Sequence, residues 1–116
     1  MNEELKTILE NLKVNNKSIP VNHLFYKGTS KTFVTWTIIS ESPLFNANDE
    51  CIYSVVDVDI DIYSDGNYLE IINEVKKIMK NNNWLWVEDS SEMYEEDTEL
   101  YHKTITFQKE RMLSNG

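Results

Sequence analysis

From residue 51 to residue 63 the chain alternates. The even positions read Ile52, Ser54, Val56, Val58, Ile60, Ile62 and the odd ones Cys51, Tyr53, Val55, Asp57, Asp59, Asp61, Tyr63. Successive side chains point to opposite faces of a strand, so this stretch predicts a long β-strand with an apolar strip on one face and three carboxylates on the other. Helical spacing appears twice. Leu5, Ile8, Leu9 and Leu12 stand at i, i+3, i+4 and i+7 and predict a helix over 2–13, with Asn2 as N-cap, Glu3 and Glu4 in the first turn, and Asn15 and Asn16 ending it. Tyr68, Ile71, Ile72, Val75, Ile78 and Met79 form the stripe of a second helix over 64–83, capped by Ser64 or Asp65. Lys76, Lys77 and Lys80 stand near its C-terminal end, where cations complement the dipole, and three asparagines end it.

Shorter elements fill the rest. "VNHLFY" after Pro20 predicts a short strand and "KTFVTWTIIS" from 31 to 40 a longer one, with Gly28 between them in a hairpin. Pro43 and two asparagines make 41–50 a loop, whose Leu44 and Phe45 either fold back onto the core or anchor a partner. "WLWV" at 84–87 reads as a strand, 88–99 as a long acidic loop, and 100–108 as a last strand with Tyr101, Ile105 and Phe107 on one face. The order α-β-β-β-α-β-β predicts one α+β domain over residues 1–116. Its four- to five-stranded antiparallel or mixed sheet carries both helices on one face.

A chain of 116 residues buries a real core without staples, and the lone Cys51 forms no internal disulfide. "MNEELK" is acidic where a signal peptide is basic, and no apolar run reaches membrane-spanning length, so the expected product is soluble and intracellular. The net charge of -9 is uneven: residues 88–99 hold seven carboxylates and no base. With Arg111 the single arginine, direct DNA or RNA recognition is disfavoured.

The motifs that would carry chemistry fail on their own terms. D-x-D-x-D from Asp57 opens like a calcium loop, but position 6 needs glycine and holds Ile62, and position 12 needs glutamate and holds Tyr68. Glu74–Lys76 has the E-x-K form of a nuclease motif, yet falls inside the second helix rather than on a strand. The histidines, His23 and His102, meet no serine or cysteine in a nucleophile elbow, and His102 beside Lys103 reads as plain surface. Three glycines make no phosphate loop and one cysteine no zinc site. Trp36, Trp84 and Trp86 read as core or interface packing, because base-stacking platforms come with basic grooves. The expectation is no catalytic residue, no metal and no cofactor.

Two passages carry a resemblance. "VDVDIDIYSDGNYLEIINEVKKIMK", a strand running into an amphipathic helix, and "MYEEDTELYHKTITFQ", an acidic loop running into a final strand, make Ser54–Phe107 similar to the small tail terminator and tail completion proteins of long-tailed bacteriophages and prophages. The N-terminal helix followed by two strands matches that family's layout. The resemblance implies a non-enzymatic virion assembly protein that forms a ring, commonly hexameric, on the end of the tail tube and joins it to the head. Its partners would be further copies of itself, the tail tube protein and the head connector proteins. Its place would be the virion tail or neck, and the host cytoplasm during assembly. Sheet and loop residues would make the contacts, here Leu44, Phe45, Glu95, Glu96 and Asp97. Asp57, Asp59 and Asp61 would give the ring a negative surface along which DNA slides, or else are a solvated sheet face without such a role. At Glu99 the sequence departs from the family pattern, which has glycine there. An acidic DNA mimic that inhibits a host nuclease or restriction system is the alternative reading.

Overall fold

The structure, a computed structural model, describes residues 2–45 and 51–112. Helix α1 is Asn2–Leu9, β1 Lys13–Val14, β2 Lys17–Ser18, β3 Val21–His23, β4 Phe33–Phe45, β5 Cys51–Ser64, α2 Leu69–Asn81, β6 Leu85–Asp89, β7 Met93–Glu95 and β8 Leu100–Met112. Strands β1 and β2 form a separate small hairpin. Its turn residues, Asn15 (φ 53°) and Asn16 (φ 66°), both take the left-handed conformation that a two-residue hairpin loop demands and asparagine tolerates.

The main sheet has six strands in the order β3-β4-β5-β8-β6, with β7 also on β8. It is mixed, because β3 runs parallel to β4 while every other pairing is antiparallel. The fold is the expected α+β domain with both helices on one sheet face, with six strands rather than four or five. Val34 and Trp36 of β4, Val56, Val58, Ile60 and Ile62 of β5, and Ile105 and Phe107 of β8 are buried against Leu5, Leu9, Leu12, Ile71, Ile72, Val75 and Met79. Each such burial contributes about 1.5–3 kcal/mol.

Four boundaries differ from the sequence reading, each for a physical reason. The first helix stops at Leu9 rather than at 13; Leu12 still reaches the core because a turn carries it in, its N–H donating to Leu9 O at 3.0 Å. Residues 24–32 are not a hairpin turn but a return link, since Val21 pairs with Val34 and His23 with Trp36 in parallel register. Gly28 serves that link by making room, as a Cβ there would lie 2.0 Å from Tyr26 Oη. The segment 41–45 continues β4 instead of looping. Pro43 is tolerated because β3 covers only Val34–Trp36 and leaves the rest of β4 an open edge that needs no N–H. Helix α2 starts at Leu69, not at 64: Ser64 closes β5 and accepts from Gly66 N, while Asn67 Oδ1 accepts from Leu69 N.

The other end of α2 is closed by a Schellman arrangement. Asn83 (φ 68°) donates to Lys80 O and Trp84 N to Met79 O, with both Trp84 and Met79 buried. Lys109 Nζ, donating to Asn82 O at 3.0 Å and to Glu4, ties this end to β8 and α1. The sheet runs past its helices, so the molecule measures 52 × 27 × 23 Å.

Candidate functional site

The sheet face away from the helices carries the aspartate row. Register sets Asp57 between Ser40 and Gln108, Asp59 between Thr37 and Thr106, and Asp61 between Thr35 and Thr104. The three acids are half-buried and partnered. Asp57 accepts from Ser40 Oγ and Gln108 Nε2, both at 2.9 Å, and Asp59 from Thr106 Oγ1 at 2.6 Å. Asp61 accepts from Thr104 Oγ1 and lies 2.8 Å from His102 Nε2. The carboxylates point to hydroxyls and an amide on neighbouring strands rather than to a common centre. Among the described residues no three histidine, cysteine or acidic side chains converge on a metal position.

His102 is therefore not plain surface. It holds Asp61 and ends a stack of rings, Tyr26 on Phe33 (4.4 Å), Phe33 on Tyr63 (4.7 Å) and Tyr63 on His102 (4.2 Å), that closes one end of the polar face. Burial, then the charges of Asp61 and Glu95, push the Tyr63 phenol above its ordinary value. At the far end of the same face Leu44, Tyr53 and Met112 share a row across β4, β5 and β8.

The residues expected at contacts do not come together. Leu44 pairs beside Tyr53 and Met112 at one end of β8, whereas Glu95 pairs with Leu100 at the other, about 40 Å away at the usual strand rise of about 3.3 Å per residue. The side chain of Phe45 lies outside the described residues. Glu95 ends β7, and Glu96 and Asp97 are exposed in the turn leading to β8, so the segment 88–99 is not the uninterrupted loop expected of it. Glu99 closes that turn with φ 58°, donating its N–H to Glu95 O.

A further apolar surface, of which the sequence pointed only to the tryptophans as core or interface packing, lies along the outer side of β8. Strands β6 and β7 follow one another there and expose Leu85, Trp86, Val87, Met93 and Tyr94. The signal was four consecutive apolar residues in "WLWV", a strand without a polar face. Beside this edge are two clefts. The larger, about 540 Å³, is lined by Asp65, Tyr68, Glu92, Tyr101 and Lys103 among others; burial and the Glu92 carboxylate push Tyr68 up to about 12. The smaller, about 330 Å³, lies between α2 and β6 and is lined by Lys76, Lys80, Trp84, Leu85, Trp86 and Phe107. Asp89 fastens α2 to β6, with Lys76 Nζ at 3.0 Å, Trp86 Nε1 at 2.7 Å and Lys103 Nζ at 3.5 Å. Burial pushes its carboxyl up, but these three donors outweigh that and hold it below its ordinary value.

Among the described residues no helix is long and apolar enough to cross a membrane. Comparison with models of known protein families finds no match, and comparison with curated proteins finds none.

Proposed function

We propose that this chain is a non-enzymatic assembly protein of a phage or prophage virion, a subunit of a ring at the end of the tail tube that terminates or completes the tail and joins it to the head. The observation that supports this best is the division of the long sheet into a closed polar face and open apolar margins. Each aspartate of the row is tied to a neighbouring strand, so the face is a fixed negative surface. Exposed apolar residues stand at its margins, Leu44 and Met112 at one end and the β6–β7 edge along the outer side of β8, with Leu24, Phe25, Ile39 and Leu69 exposed elsewhere. Such exposed apolar strips are what a subunit needs for contacts with other copies, the tube protein and the connector. A fixed negative surface facing a channel repels phosphate and lets DNA pass.

The rival, an acidic mimic of DNA, draws on the exposed acids Glu92, Glu95, Glu96, Asp97 and Glu99. Light scattering coupled to size exclusion, over a range of protein and salt concentration, separates the two. The ring reading expects a closed oligomer, or a monomer that binds isolated tail tube. A monomer that ignores tail tube but binds a basic nuclease in a salt-sensitive way would establish the mimic instead.

A further inference from the structure

The β6–β7 edge concentrates features that the polar face does not use. The sheet ends on β6, and free edge strands are normally guarded by charge, proline or a covering element. Here Leu85, Trp86 and Val87 stand 64%, 54% and 48% exposed on it. The cleft beside them has an unusual wall. Trp84 is only 3% exposed, yet its indole N–H is the one buried side-chain polar atom among the described residues without a hydrogen-bond partner. Lys80 borders the same cleft and makes no ion pair among the described residues. With the exposed Lys77 it leaves positive charge near this end that no acid among the described residues pairs, whereas Lys76 is held by Asp89, on a chain of net charge -9. Farther along the same edge the charge reverses, with Glu92, Glu95 and Glu96 around the exposed Met93 and Tyr94.

We propose that a second copy of this chain docks edge to edge on β6–β7 in antiparallel, two-fold fashion. An edge that is cationic at one end and acidic at the other is complementary to its own copy when the two run in opposite directions, and repels it when they run alike. The faces select one register. Trp86 pairs with Phe107 and Tyr94 with Tyr101, so both stand on the helix side of the sheet. Setting Trp86 of one copy opposite Tyr94 of the other keeps both sheets facing the same way and makes an aromatic cross-strand pair. Beyond Tyr94, the exposed Glu96 in the turn after β7 then lies toward the neighbour's unpaired Lys80 ammonium, at the mouth of the cleft that Trp84 lines. Symmetry makes the contact twice.

This contact does not require a ring: it pairs copies whether or not other surfaces close a larger assembly. The test is a charge swap read by light scattering and by the Trp84 indole resonance in NMR. In the wild type, raising the protein concentration should shift that resonance as dimers, or even-numbered assemblies, form. Lys80→Glu and Glu96→Lys, both at exposed positions, should each weaken association at least tenfold with circular dichroism unchanged, and the double variant should regain it. A wild type that stays monomeric with a concentration-independent Trp84 signal overturns the proposal. So does an oligomer that neither single variant weakens, or a double variant that regains nothing. A hexamer indifferent to the swap would sink this contact and leave the ring standing, whereas a swap-sensitive dimer that ignores tail tube would do the reverse.

Discussion

Glu99 holds a backbone conformation that its side chain disfavours. A left-handed φ costs a non-glycine residue about 1–2 kcal/mol, and Glu99, exposed at φ 58°, makes no side-chain bond among the described residues that offsets it. Glycine removes that strain but enlarges the freedom of the unfolded chain by about 0.4–1 kcal/mol, so Glu99→Gly should stabilise the fold by roughly 0.5–1 kcal/mol. Urea unfolding measures it, and a midpoint unchanged or lowered would show that the turn is held without strain. Asp89 gives the pH dependence. Its carboxyl is lowered in the folded state, since the bonds from Lys76 and Trp86 and the nearby Lys103 outweigh burial. The stability it contributes is therefore complete above the ordinary carboxylate range and is lost as pH falls through the lowered folded value. The melting temperatures of wild type and Asp89→Asn should lie well apart near neutral pH and converge in strong acid. A gap that stays constant down to pH 2 would mean the carboxylate is not the group being held.

At the scale of elements, what the sequence made legible is what a single periodicity decides. The alternation of β5 put Val56, Val58, Ile60 and Ile62 in the core and Asp57, Asp59 and Asp61 on the opposite face, as the structure has them. The helical stripe from Ile71 to Met79 was equally plain. The elements misread are those settled by partners distant in the chain. Whether 24–32 is a hairpin or a return link depends on which strand edge receives Val21, and local composition is silent on that. Pro43 ends a strand only if its missing N–H is needed, and an open edge on β4 does not need it. The aspartate row was legible as a face but not as a ladder, because Thr104, Thr106 and Gln108 come from more than forty residues away. His102 was misjudged for the same reason. Which tryptophan is core and which is exposed was open in "WLWV", because that is decided only when β6 proves to be the sheet's last strand, with Trp84 buried and Leu85, Trp86 and Val87 exposed.

Across the whole molecule the core and the sheet do not coincide, and stability should follow the core. Helices α1 and α2 cover the part of β4 and β5 toward Phe33 and Tyr63 and the middle of β8, where Val34, Trp36, Ile60, Ile62, Ile105 and Phe107 are buried. Toward Leu44, Tyr53 and Met112 the three strands run on with no described helix packed against them, and Ser40–Leu44 is exposed. The helix-side row there is polar: Glu41 accepts from Ser54 Oγ and from Arg111 Nη1 at 3.2 Å, the latter an exposed pair of a kind worth at most about 1 kcal/mol. This end has ladder hydrogen bonds and little apolar burial behind them, so it should open locally well before the domain unfolds. Native-state amide hydrogen exchange should show protection rising along β5 from Tyr53 toward Ile60, with Ile60 and its β8 partner Ile105 exchanging only by global unfolding. If the end docks on another chain, as the proposed assembly requires, its amides should gain protection in the assembled state while those at Ile60 change little. Equal protection at Tyr53 and Ile60 in the free chain would mean that the sheet opens as one unit.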